Sequence, residues 1–246
     1  MNLLTIFVFV LIIILIYTVY KLMTKKTISV SDLSDASKTI LIPASKTEGK
    51  SSGNNNYGYS VWLYVEAWKT SGQLLTNKNV ITRCNPSGIP LFEMYLDNEQ
   101  NDLMLDMSDS NGIPIETSCV IRNVQLQKWI NITMSIYGNT VDLYLDGKLV
   151  RTCIMASMPA SLSSGDNLYI GGGYDIDSAN KLIPKDGDLE GFISNVVYKN
   201  DYFSPEEAWN IYSTGYSGAG MFNFLSSYKL NFSITNNNQT VSQFSI

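Results

Sequence analysis

Hydrophobic and polar positions follow two unlike patterns along this chain. From Leu3 to Tyr20 the run LLTIFVFVLIIILIYTVY is apolar except at Thr5 and Thr18. At about 1.5 Å of helical rise per residue, it is just long enough to cross a hydrocarbon layer about 30 Å thick. From Tyr57 the period shortens to two. YGYSVWLYVEAW alternates small or polar with large apolar residues, as a half-buried strand requires. The same pattern predicts strands at Asn79–Arg83, Pro90–Leu96, Leu103–Met107, Ser118–Val124, Trp129–Tyr137 and Thr140–Leu145, and again at Lys148–Ile154, Asn167–Ile170 and Gly191–Tyr198. Gly138-Asn139 and Asp146-Gly147 sit between consecutive runs and predict tight antiparallel hairpins. One helix interrupts the β pattern. In SPEEAWNIY, Ser204 caps, Pro205 suits the first helical position and Glu207 closes a capping box. A final hairpin is expected from YKLNFSIT and QTVSQFSI.

The patterning divides the chain into an anchor (1–23), a polar juxtamembrane stalk (24–56) and a β domain (57–246). Within the stalk, TILIPAS (Thr39 to Ser45) has the character of a first strand pinned to the domain. A cleavable signal peptide would carry positive charge before the apolar run and a small-residue site after it; neither is present, so the run reads as an uncleaved single-pass helix whose residues 3–20 contact lipid. Lys21, Lys25 and Lys26 follow it, and by the positive-inside rule they place the domain on the cytosolic face.

Composition narrows the chemistry. Net charge is -5, without a clustered basic face, which argues against nucleic acid. The chain has no histidine, which removes Ser-His-Asp and Cys-His triads and His-ligated metals. The three cysteines, Cys84, Cys119 and Cys153, have no metal-ligand spacing, and an odd count suits a reducing compartment better than a disulfide framework. Three sequons, at Asn131, Asn231 and Asn238, would be glycan acceptors if the domain were lumenal.

The order of motifs WINITMSIYGNTVDLYLDGKLVR, LYIGGG and LEGFISNVVYKNDYFSPEEAWNIY resembles the laminin-G and pentraxin-like branch of the concanavalin A-like lectin/glucanase superfamily, over roughly Tyr57 to Gly215. The resemblance implies an all-β, two-sheet antiparallel jelly-roll sandwich. Trp62, Trp129 and Ile193 are then expected in a core, and Gly147 and Gly191 at turns and close packing. It also raises calcium, with Asp175, Asp177 and Asn85 as a half-formed rim and Asp186 and Asp188 nearby, so weak binding at most is expected. No other cofactor is implied. The hydrolase branch carries E-x-D-x-x-E on one strand. Here Glu93 with Asp97 and Glu99, or Asp102 with Asp106, lack that spacing and read as solvent-facing carboxylates, so the chain is not expected to be an enzyme. Two functions remain. One is a membrane-anchored interaction or structural module that links a membrane to a protein partner such as a viral capsid shell, as in the similar virion membrane proteins of large DNA viruses. The alternative is an outward-facing, lectin-like receptor or adhesion protein that binds a glycan.

Overall fold

The alternation resolves into two antiparallel sheets packed face to face. The computed structural model describes residues 10–17, 27–46, 55–68, 78–163, 165–178, 181–187, 189–217, 231–236 and 239–245. In chain order the strands begin with β1 (Thr27–Ser31), β2 (Ser34–Asp35), β3 (Ile40–Ile42), β4 (Tyr57–Ala67), β5 (Lys78–Cys84), β6 (Pro90–Leu96), β7 (Leu103–Met107), β8 (Cys119–Ile121) and β9 (Trp129–Tyr137). They continue with β10 (Thr140–Leu145), β11 (Lys148–Ile154), β12 (Asn167–Ile170), β13 (Gly173–Ile176), β14 (Leu182–Lys185), β15 (Glu190–Lys199), β16 (Asn231–Asn236) and β17 (Gln239–Ser245). One sheet runs β1-β15-β4-β9-β10-β11, with β2 also paired to β15; the other runs β3-β12-β5-β6-β7-β8. Two ribbons, β13-β14 and β16-β17, complete the described strands.

The period-two pattern explains the core. Ile130, Ile132, Met134 and Ile136 of β9 point between the sheets and pack in one cluster with Phe92, Met94 and Leu96 of β6 and Leu103 and Leu105 of β7. Burying each such side chain stabilises the fold by about 1.5–3 kcal/mol. The other face of β9 carries Asn131, Thr133 and Ser135, which are also buried. They are satisfied there: Thr133 Oγ1 donates to Ser60 Oγ (2.8 Å), and Ser135 Oγ accepts from Phe203 N (2.8 Å). Helix α1 covers residues 10–17, and α2 (Pro205–Thr214) lies near this outer face. The capping box on α2 is complete, and Lys199 Nζ ties Glu207 to the sheet at 2.6 Å.

Strand β4 sets the long axis of the sandwich. Its 11 residues span about 33 Å at 3.3 Å per residue. At its Tyr57 end lie the β9–β10 turn and the last residue of β15, since Tyr57 pairs with Ile136 and Gly58 with Lys199. At its Ala67 end lie Trp68 and the first residue of β15, Glu190. These are called below the Tyr57 pole and the Trp68 pole. Near the Tyr57 pole the buried Arg83 crosses the core, its Nη1 donating to Tyr59 Oη at 2.7 Å.

Four expectations are corrected. The segment expected to be a stalk contains β1 and β2 besides β3, which lies in the Thr39–Ser45 stretch expected as a strand, and Ala36 and Ile42 join the core. Polar composition did not signal this because a short edge strand is held by backbone pairing and needs few apolar residues. Cys119 and Cys153 form a disulfide, leaving Cys84 free and buried. An odd count leaves one thiol over without forbidding a pair. Trp129 is half-buried on the outer face, stacked on Tyr216 at 4.7 Å, and Trp62 is buried on that face against Tyr212 of α2; only Ile193 of the three lies between the sheets. The β13–β14 ribbon was not anticipated, because its strands are only four residues each and LIPK lacks alternation.

The glycine expectations hold. Gly147 has φ 73°, and any Cβ there would crowd Trp209 and Tyr212 of α2; a Cβ on Gly191 would overlap the carbonyl oxygen of Tyr64. Of the apolar N-terminal run, α1 is described, and its side chains Val10 to Tyr17 are 46–63 % exposed. Among the described residues no helix is long and apolar enough to cross a membrane; the rest of the run, Leu3 to Phe9 and Thr18 to Tyr20, lies outside them.

Candidate ligand-binding cleft

At the Trp68 pole the connections between strands enclose an open cleft of about 800 Å³, lined by Trp68, Asn101, Asp102, Arg122, Asn123 and Leu126 among others. Local sequence builds its walls. After β6, Asp97 Oδ1 accepts from the amides of Glu99 (2.8 Å) and Gln100 (3.0 Å), and the Asp97 amide donates to Asp102 O at 2.9 Å. This Asx-type turn lifts Glu99 and Gln100 to the rim. The opposite wall follows β8. Asn123 adopts φ 56°, a conformation that asparagine tolerates better than most residues. Its amide donates to Asp102 Oδ1 at 2.7 Å, while Asn101 Nδ2 donates to Asn123 Oδ1 and to Val124 O, each at 2.8 Å.

Trp68 forms the apolar side. It follows β4 directly, packs against the core with Leu126, and carries Lys78 Nζ at 4.5 Å from its ring centroid. Lys78 Nζ also donates to Asn98 O at 3.1 Å, fixing the turn to the tryptophan. Asn98 Oδ1, in the same turn, is buried without a hydrogen-bond partner among the described residues. The cleft therefore joins the Trp68 side chain to the Arg122 guanidinium and to amide and carboxylate groups of Asn101, Asp102 and Asn123, the latter held by hydrogen bonds to one another and to the backbone. A ligand rich in hydroxyls over an apolar ring face matches that set.

The residues proposed for calcium lie at the other end, beyond β5. Asn85 Oδ1 accepts from the amides of Ser87 (2.9 Å) and Ile89 (3.0 Å), closing the β5–β6 turn. The Leu182 amide donates to Gly88 O at 2.9 Å, so the structure does bring the β13–β14 ribbon to this turn. Asp175 pairs with Lys185 at 2.5 Å, Asp177 Oδ1 accepts from the Lys181 amide at 2.8 Å, and Asp186 pairs with Lys38 at 2.6 Å. Asp188 lies outside the described residues.

The acidic candidates separate. Asp97 and Glu99 belong to the turn at the cleft, and Asp102 braces its wall. Glu93 and Asp106 instead become register partners across β6 and β7, on the outer face. Glu93 is not solvent-facing: the ribbon folds over it, and Tyr174 Oη donates to its Oε2 at 2.7 Å. Burial pushes the Glu93 carboxyl above its ordinary range, the Tyr174 hydrogen bond opposes this, and the Asp106 charge adds to it. Asp106 accepts from Tyr95 Oη and Ser118 Oγ, both at 2.7 Å.

Comparison with known proteins agrees with the sandwich. A laminin-G family model, described as concanavalin A-like lectin/glucanases superfamily, matches residues 37–208. The chain belongs to this superfamily. No curated protein matches this superfamily member in sequence. Among solved structures, the receptor-binding domain of the botulinum neurotoxin C/D mosaic serotype aligns with 85% of the chain and 52% of its own length, at 14% identity and TM-score 0.54. The receptor-binding domain of botulinum neurotoxin D aligns with 74% of the chain and 43% of its own length, at 15% identity and TM-score 0.53. The chain thus spans about half or less of these structures, and the likeness is one of fold.

Two properties known in the superfamily can be tested on the laminin-G-like domain. Of the described calcium candidates, Asn85 and Asp177 close turns and Asp175 and Asp186 pair with lysines, and among the described residues no three acidic, cysteine or histidine side chains converge. Nor do Glu93 and Asp106 reproduce a single-strand acid motif, since they face each other from adjacent strands and are held by phenol and serine hydroxyls. The Asn131 sequon is buried, its Nδ2 donating to Ser60 Oγ at 3.1 Å, and is no glycan acceptor in the folded domain. Asn231 has only its backbone described, in β16, and Asn238 lies outside the described residues. The sequence reading missed Trp68, Asn101, Arg122 and Asn123. Their only local signal was the Asn/Asp density after β6 and β8, which turns share with binding loops.

Proposed function

We propose that the laminin-G-like domain is a non-catalytic, membrane-tethered module that binds carbohydrate in the cleft at the Trp68 pole. The observation that carries this is a cleft of about 800 Å³ that brings the Trp68 side chain together with Asn101, Asp102, Arg122 and Asn123. An aromatic platform serves the apolar face of a sugar ring, and amides with charged groups serve its hydroxyls. Tethering is supported by the apolar run at 3–20 and by the exposure of the part of it seen in α1. The Cys119–Cys153 disulfide favours an oxidising, non-cytosolic side, where such bonds persist. Display there would suit a receptor.

The test is a glycan array probed with the detergent-solubilised full chain, followed by titration of the best binder. Trp68→Ala and Arg122→Ala should each weaken binding at least tenfold, about 1.4 kcal/mol, with no loss of the wild-type far-UV spectrum. Unchanged affinity in both variants, or no bound glycan, refutes the assignment. One observation favours a second reading. Lys21, Lys25 and Lys26 argue by the positive-inside rule for a cytosolic domain that links the membrane to a protein shell. Protease protection in sealed membranes separates the two.

A further inference from the structure

The strand register fixes where the N-terminal segment joins the sandwich. Thr27, the first residue of β1, pairs with Lys199, the last residue of β15, at the Tyr57 pole. Lys199 Nζ donates to Tyr202 O at 2.7 Å, and the Tyr202 ring meets Tyr137 edge-on at 5.3 Å. Tyr137 pairs with Thr140, which pairs with Ile154, so Tyr137 and Ile154 lie at one height on the outer face of the sheet, with the Tyr202 ring against Tyr137. All are exposed: Tyr137 by 62 %, Tyr202 by 42 % and Ile154 by 70 %. Met158, half exposed, follows close by in the segment tied to Asn139 and Asn55. Elsewhere on the same register Ile136, Val141 and Cys153 point inward and are buried.

Chain length decides what this patch meets. Seven Cα steps separate Tyr20, the end of the apolar run, from Thr27. Fully extended they reach about 25 Å, less than the roughly 33 Å length of β4. A membrane holding residues 3–20 therefore lies within reach of the Tyr57 pole, and the chain is too short for the domain to stand inverted on its Trp68 pole. Tyrosine is suited to the headgroup region, with a ring for the acyl boundary and a hydroxyl for water. Lys21, Lys25 and Lys26 flank the same junction and complement anionic headgroups.

We infer that Tyr137, Tyr202 and Ile154 rest on the lipid surface into which residues 3–20 insert, so that the domain stands upright with its cleft facing away from the membrane. This rests on the anchor part of the proposed function and is separable from it. The test uses the full chain reconstituted in vesicles of phosphatidylcholine with a minor share of phosphatidylserine, with a nitroxide at Asn139→Cys or, at the opposite pole, at Gln100→Cys. The ratio of oxygen to water-soluble nickel-chelate accessibility should be severalfold higher at position 139 than at position 100. Adding Tyr137→Asp and Ile154→Asp should remove the difference while the protein still floats with the vesicles. Equal accessibility at both positions in a floating protein overturns the lipid contact and leaves the anchor standing. Failure to float overturns the anchor, and the contact with it. Protection at 139 that persists in detergent, with a dimer by light scattering, makes the pole an interface between copies and overturns the lipid contact.

Discussion

The Cys119–Cys153 bridge is the most consequential feature that can be perturbed. Cys119 lies on β8 and Cys153 on β11, the edge strands of the two sheets, so the bond clamps one open side of the sandwich. Its sequence separation is 34 residues. Loop-closure entropy for that length is worth about 4 kcal/mol in the unfolded state. For a domain of 150–250 residues each kcal/mol moves Tm by about 2–4 °C, so losing the bridge should lower Tm by roughly 8–15 °C. The assay is thermal unfolding of the wild type, of the wild type after reduction, and of Cys119→Ala/Cys153→Ala. Reduction isolates the cross-link, whereas the alanine pair adds the cost of lost sulfur packing at two buried positions. Cys84 is an internal control, because burial pushes its thiol up to about 12, and the Glu93 and Asp166 charges push the same way. It should resist alkylation until the protein unfolds. Denatured, unreduced protein should then take up one alkyl group. Uptake at all three cysteines, or melts that coincide with and without reductant, would refute the cross-link and with it the argument for an oxidising compartment.

Two further outcomes follow from the geometry. Glu93 has a folded-state pKa raised above its ordinary value of 4.5, so its contribution to stability is full below that value and is lost as pH rises through the folded pKa. Glu93→Gln should therefore raise urea resistance at neutral pH and flatten its decline with pH above 4.5; a variant less stable than wild type at pH 7 would contradict the burial argument. Gly191→Ala should abolish folding to the native state, read as loss of the dispersed NMR spectrum, because the new methyl overlaps the Tyr64 carbonyl oxygen where β15 closes on β4, at a backbone φ of 152°. A folded variant would show that the two strands can separate without cost.

The sequence by itself determined the parts governed by local rules. Period two marked six strands to the residue, β6, β7 and β9 to β12, since a strand with one face in the core must alternate. The Asp146-Gly147 turn and the capping box of α2 were legible because they need particular residues within four positions. The ordered set of motifs was enough to place the family. Elsewhere, pairing across long separations decided the result. Thr27 finds Lys199 and Cys119 finds Cys153 only after the sheets have formed, and no local pattern encodes either meeting. Trp129 alternates like a core residue, but its side chain lies on the outer face of the sheet, where the extension after α2 covers it through Tyr216. The cleft is the extreme case. Trp68, Asn101 and Asn123 come from three connections that converge only because β4, β6 and β8 all end at the same pole, and convergence is a property of the folded chain alone.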